Sequence, residues 1–175
     1  MTPTKRFPFE GIHDSMLHQR WIKRKGGRLS ENPKKAFKGM GKQERVSLLK
    51  EMWQEANIAL GKEEMEIVFE GLMDKDQEVN KAAWRVLERM RGMCPAKGDE
   101  AVALAREWAS NKEAWRNALI RKGVMLILGE CGKEKDCNII WAGLKDSDLE
   151  VYSEAMAAFN RLSERGYDLY RFRIA

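Results

Sequence analysis

The chain has 175 residues, 43% of them hydrophobic and 34% charged. That is enough for one domain with a real core, and it excludes a disordered chain and a small scaffold that needs metal or disulfide staples. The longest apolar run, Val124 to Leu128, is far too short to span a bilayer, and the basic N-terminus lacks the apolar stretch of a secretory signal.

The net charge of +5 is unevenly placed: residues 1–50 hold 13 Lys/Arg against 4 Asp/Glu, and the remainder holds 19 against 23. Basic and acidic halves of this kind say more about partners than the overall charge does. The three cysteines, Cys94, Cys131 and Cys137, are odd in number and form no CxxC pair. No disulfide framework is expected, and the cytoplasm or another reducing intracellular compartment fits. The two histidines, His13 and His18, sit far from the cysteines in sequence. No metal site and no cofactor are expected.

Residues 1–41 read as an extended basic arm, with three of the four prolines, five glycines and few aliphatics. One basic cluster runs through Arg20, Lys23, Arg24, Lys25 and Arg28, and a second through Lys34, Lys35 and Lys38 to Lys42. Phe7, Phe9, Trp21 and Phe37 are interleaved with them. Lys and Arg neutralise phosphates and nearby rings stack on bases, so Arg20, Trp21, Lys23, Arg24, Lys25, Arg28, Lys34, Lys35 and Lys38 are the candidate nucleic-acid contacts. In composition the arm resembles the tails of ribosomal proteins and the arms of nucleoprotein coats. Basic tails also bind acidic proteins or a membrane surface, and some only solubilise; those alternatives stay open. Such a composition does not order itself alone, so a partner or the acidic body is expected to hold it.

Residues 42–60 predict a helix with Val46, Leu49, Trp53, Ala56 and Leu60 on one stripe, packing as a cap. A repeat follows. Shifting Val68–Met90 by 72 residues places Gly71 on Gly143, Leu72 on Leu144, Asp74 on Asp146, Asp76 on Asp148, Val79 on Val151 and Ala83 on Ala155. Half that shift finds a weaker middle copy, with Leu104, Trp108, Trp115 and Leu119 at the core positions and Ser110 in place of Asp74. Each unit predicts two helices joined by a capped turn, with capping boxes at Ser110/Glu113 and Ser147/Glu150. Gly92, Gly132 and Gly166 are the expected left-handed terminators of the second helices. Residues 167–175 form a tail covering the last unit.

The segments Gly71–Val79 and Gly143–Val151, each followed by an alanine-containing apolar helix, resemble HEAT repeats over about residues 62–166. In that family an apolar helix ends in a turn with Asp, and the second helix opens with an acidic residue, Val and Arg. Asn80 and Tyr152 stand where that Arg is usual, while the middle copy keeps Arg116 after Trp115. The resemblance implies an all-α fold: a short right-handed α-solenoid of about three helical hairpins over residues 42–166, with the arm before it. The second helices of such proteins usually line the concave surface. Lys81, Arg85, Arg89, Arg121 and Arg161 are then candidates for a basic concave ridge, Arg85 being equivalent to Arg121 and Arg89 to Arg161. The competing reading is an ordinary solvated helix face. Trp108, Trp115 and Trp141 read as core, and Trp84 falls off the stripe as a candidate interface residue.

No P-loop, GxSxG, HExxH or dinucleotide fingerprint is present, so no catalytic residue is expected. The leading expectation is a non-catalytic scaffold that docks on protein and binds RNA or DNA through the arm within a larger assembly. The alternatives are an adaptor whose arm inserts into an acidic protein, and a DNA-repair glycosylase of the kind built from HEAT-like repeats, none of whose motifs matches residue by residue.

Overall fold

A computed structural model describes residues 33–55, 60–92 and 98–172 of the chain. The first basic cluster, the N-terminal aromatics, Ala56 and Cys94 lie outside them. The described residues form eight α-helices and three short 3-10 turns, and no strand is found among them. The described residues are all-α, as the periodicity predicts. Residues 32–175 make one compact unit.

The helices come in consecutive pairs. The first pair is α1 (Pro33–Lys38) and α2 (Lys42–Glu55), and the second is α3 (Lys62–Leu72) and α4 (Gln77–Arg89). The third is α5 (Gly98–Ser110) and α6 (Ala118–Cys131), and the fourth is α7 (Cys137–Gly143) and α8 (Leu149–Glu164). Within the last three pairs each helix packs on its mate; between pairs, α1 packs on α3, α2 on α4, and α6 on α8.

The arm is shorter than the sequence suggests. Pro33 opens α1 in the first turn, where its missing N–H breaks no helical bond. Phe37 and Met40 are buried in the core, so Phe37 is no stacking platform for a base. The contact boundary falls between Glu31 and Asn32, ahead of this helix. In α2, Val46, Leu49 and Met52 face inward, while Trp53 is 40% exposed under the guanidinium of Arg89.

The 72-residue repeat appears as a repeated geometry. Val68, Phe69, Leu72, Val79, Ala82, Ala83, Val86, Leu87 and Met90 are all buried, and so are Ile140, Val151, Ala155, Ala158 and Leu162. Asp74 Oδ1 accepts from the Asp76 N–H at 2.9 Å, and Asp146 Oδ1 accepts from Asp148 at the same distance. The helix caps are the second aspartates of each turn: Asp76 accepts from Glu78, and Asp148 from Glu150 and Val151. Ser147 is therefore not the cap. At Gly71 a Cβ would lie 2.8 Å from Ala83 Cβ and 3.3 Å from Leu49; at Gly143 it would lie 2.8 Å from Ala155 Cβ and 2.6 Å from Met125 Sδ. Glycine at both positions lets the first helix of a pair touch the second and the preceding pair.

The middle copy departs from a constant period. Ser110 is not a cap; its hydroxyl donates to Arg106 O. Asn111 accepts from the N–H groups of Glu113 and Ala114, and Ala114–Arg116 forms a 3-10 turn. The second helix starts only at Ala118, capped by Asn117, which accepts from Leu119 and Ile120. Aligned on the caps Asp76, Asn117 and Asp148, the buried residues Val79, Ile120 and Val151 correspond, followed by Ala83, Val124 and Ala155. This register removes the mismatch at Lys122 and Gly123: Gly123 is buried against Leu87, Leu72 and Phe69. It also moves the arginine expected at Arg116 to Arg121.

Two of the three glycine terminators are left-handed, Gly92 at φ 76° and Gly166 at φ 86°. Gly132 is extended, at φ −65° and ψ 164°. Its need for glycine is spatial, because a Cβ there would collide with the carbonyl oxygen of Leu128. The tail closes back on the last pair: Leu169 is buried, and the Trp141 indole donates to Leu169 O at 2.9 Å.

Candidate functional site

Most of the described basic candidates are bound into the fold. Arg121 sits in the first turn of α6, where its guanidinium faces both the turn behind it and the next pair. Nη1 donates to Trp115 O at 2.8 Å and Arg116 O at 3.1 Å, while Nε and Nη2 hold the Asp146 carboxylate at 2.6 and 3.0 Å. Arg45, in the first turn of α2, occupies the matching place. Its Nη1 donates to Met40 O at 3.2 Å, and its Nε lies 3.0 Å from Asp74 Oδ2. On α4 Asn80 takes this position, but its amide donates within its own pair, to the carbonyls of Gly71, Leu72 and Asp74. Burial pushes the Asp146 carboxyl upward, but Arg121 and the Asp148 N–H outweigh it and hold the carboxyl below its ordinary range.

Three buried carboxylates anchor further cations. Glu70, on α3, meets Lys34 Nζ at 2.6 Å and Lys38 Nζ at 2.9 Å. The Lys34 ammonium also lies 5.2 Å from the centre of the Trp108 ring. Asp136 is gripped by Arg106 through two bonds of 2.6 and 2.9 Å, and Glu154 by Arg91 through two of 2.8 and 2.9 Å. A buried carboxylate without its cation is strongly destabilising, so these lysines and arginines are committed by the charge they face. Of the second basic cluster, Lys34 and Lys38 bind the body and Lys35 is exposed. Lys42 joins Asp76 at 3.0 Å and Glu78 at 2.6 Å, and both contacts raise the affinity of its ammonium for its proton. A cleft of about 210 Å³ beside Lys34 is lined by Glu66, Leu104, Glu107, Trp108 and Asn111.

Three of the five ridge candidates are engaged by partners within the fold. Lys81 and Arg85 are exposed on α4, and Arg89 lies 5.1 Å over Trp53. Arg121 is held at the turn by Asp146, whereas Arg161, near the end of α8, faces Glu130 at 3.4 Å and Glu154 at 3.7 Å. With the caps aligned, Arg85 corresponds to the buried Leu126, and Arg89 and Arg161 flank a position held by Glu130. The late start of α6 breaks the equivalence of Arg85 with Arg121, while that of Arg89 with Arg161 stands.

Among the described tryptophans only Trp108 is fully in the core, stacked on Phe69 at 5.1 Å; Trp84, Trp115 and Trp141 are half-buried. Trp84 is covered by the Lys122 ammonium, 3.9 Å from its ring centre, and that ammonium also pairs with Glu150 at 2.8 Å.

The surface feature that sequence reasoning missed is on α8. Leu149 is 82% exposed, Tyr152 40% and Met156 37%, a seam at i, i+3 and i+7. Tyr170 is exposed toward the C-terminal half of α8, edge-on to Phe159. Hydrophobic periodicity marks α8 as amphipathic through Val151, Ala155, Ala158 and Leu162, and a second apolar stripe beside the first was the available signal.

Among the described residues no group of three or more His, Cys, Asp or Glu is placed to hold a metal, and no helix is long and apolar enough to cross a membrane. Cys131 and Cys137 are buried thiols; burial first, then Glu134 and Asp136, pushes Cys137 up to about 11. No protein-family model, curated protein or solved structure matches the chain.

Proposed function

We propose that this protein is a non-catalytic helical-repeat scaffold that docks on protein through its body and binds RNA or DNA through the segment Arg20–Arg28. The observation that carries it is the uneven charge: 13 Lys/Arg against 4 Asp/Glu in residues 1–50, beside a body with the opposite balance. With Lys34 and Lys38 engaged by Glu70, the phosphate-binding set narrows to Arg20, Lys23, Arg24, Lys25 and Arg28 of the first cluster, with Trp21 to stack on a base, and to the exposed Lys35 of the second. The HEAT-type reading is supported by the Asp74 and Asp146 turns and by Arg121, which follows the buried Ile120 as the pattern requires. Four hairpins then stack as a short right-handed solenoid, α1 and α2 being the first.

The test is binding of the full chain to mixed-sequence RNA and DNA across a salt series, beside a variant with the five cations of the first cluster changed to Gln. Binding that falls steeply with salt, and a log–log slope that flattens in the variant by up to about 0.9 per lost duplex contact, is expected. Absence of binding at low salt overturns the reading. The alternative, insertion of the arm into an acidic protein, draws support from Lys34 and Lys38, which already seek a carboxylate. It becomes the stronger reading if nucleic acid fails and an acidic polypeptide binds.

A further inference from the structure

We propose that the outer face of α8 is a self-association surface, on which a second copy of this chain packs its own α8 about a twofold axis. The argument starts from the repeated arginine positions. Arg45 and Arg121 open α2 and α6, and one helical turn later stand Leu49 and Met125. Both are wholly buried, because the next pair lies on them: Gly71 and Ala83 meet at Leu49, and Gly143 and Ala155 meet at Met125. On α8 the same two positions are Tyr152 and Met156, and both are exposed. Leu149, three residues before Tyr152, extends the face by a turn. The surface that receives the next layer elsewhere in the fold is therefore present on α8, continuous with the internal interfaces and uncovered.

Its chemistry is that of an interface. From Val151 to Asn160 the only charged residue is Glu154, and it is turned inward onto Arg91. The exposed side chains beside the seam are Ser153 and Asn160, with Glu150, next to Leu149, paired with Lys122. The corresponding stretch of α4 instead exposes Lys81, Arg85 and Glu88.

The occupant is argued from complementarity. An apolar seam needs an apolar partner, and the other large exposed hydrophobics among the described residues do not supply one. Trp53 lies under Arg89, Met73 stands alone in a turn, and Tyr170 is against the C-terminal half of α8 itself. The face of α2 turned away from α4 is polar, with Gln43, Glu44, Ser47 and Lys50 exposed. Head-to-tail stacking is thus poorly matched, and the surface that fits the α8 seam is the α8 seam of another copy. An antiparallel pair centred between Tyr152 and Ser153 sets Leu149 of one copy opposite Met156 of the other, the isologous arrangement commonest in homodimers. One seam is a small interface, so the dimer is weak and concentration-dependent. This inference does not rest on the nucleic-acid reading.

The test is sedimentation equilibrium of the full chain from micromolar to sub-millimolar concentration, with L149K/M156K and, separately, S153R. The expected result is a mass that climbs from monomer toward dimer in the natural chain. It should stay at monomer in both variants, with helical circular dichroism and melting temperature retained. S153R changes only an exposed side chain and places two like charges near the axis, so it decides the matter if the double variant fails to fold. A monomer at every concentration, or a dimer that persists in S153R, overturns the proposal; the monomer result would assign the seam to another protein's helix.

Discussion

Arg121 and Asp146 meet across two helical pairs in a two-bond clamp of 2.6 and 3.0 Å, and the same guanidinium closes the turn at Trp115 and Arg116. Both side chains are largely buried, at 15% and 10% exposure. Replacing Arg121 by Ala leaves a carboxylate and two carbonyls without their donor. A loss of about 3 kcal/mol is expected, read as a lower urea midpoint at unchanged slope. Arg121→Lys should recover only part of it, since a point charge cannot make the paired bonds. A loss within about 0.5 kcal/mol for Ala would show the clamp to be unimportant.

The same carboxylate sets a pH dependence. Asp146 is held below its ordinary value, so its contribution to stability is fully present above the unfolded value of about 4 and is lost as pH falls through the folded one. The natural chain should therefore lose stability on acidification from about pH 5 downward more steeply than Asp146→Asn does. Urea titrations of both proteins at several acidic pH values check it. Parallel curves would remove Asp146 from the acid-sensitive groups.

Gly71 and Gly143 offer a test in which two effects oppose. Helix propensity alone makes Gly→Ala worth up to about 1 kcal/mol of added stability inside a helix. The structure demands the reverse, because each new methyl would lie 2.8 Å from a fixed alanine Cβ, of Ala83 or Ala155. A net loss of about 1–3 kcal/mol is expected for G71A and for G143A, measured by thermal or urea melting. G143A should lose at least as much as G71A, because the same 2.8 Å approach to an alanine Cβ is joined there by Met125 Sδ at 2.6 Å. A gain in either variant would contradict the close packing described.

These positions show what was legible in the chain and what was not. The outer copies were readable because Gly71 and Gly143, Asp74 and Asp146, and Ala83 and Ala155 do identical work at a fixed distance. The middle copy was misregistered because Ser110 and Glu113 match a capping box, while the turn is formed by Asn111 and the cap by Asn117. Local patterns do not reveal that a 3-10 turn has been inserted, though Asn117 before an apolar run was a usable sign. The pairing of Arg85 with Arg121 followed from that register and fell with it, whereas Arg89 and Arg161 remain equivalent. Lys34 and Lys38 were read with the arm because their partner, Glu70, is more than thirty positions away in sequence, beyond any periodic signal.

That pair gives the last prediction. Glu70 is 6% exposed and faces both ammonium groups. The double change Lys34→Ala with Lys38→Ala strands a buried carboxylate, so the fold should lose about 3 kcal/mol, while nucleic-acid binding at temperatures below melting keeps its salt slope. Adding Glu70→Met to the double variant should restore most of the stability, because an apolar side chain in that place has no charge to satisfy and packs against its neighbours. The measurements are a urea melt and a salt-resolved binding isotherm on the same three proteins. Preserved stability together with a flatter salt slope would return Lys34 and Lys38 to phosphate binding and move the nucleic-acid surface onto the helical body.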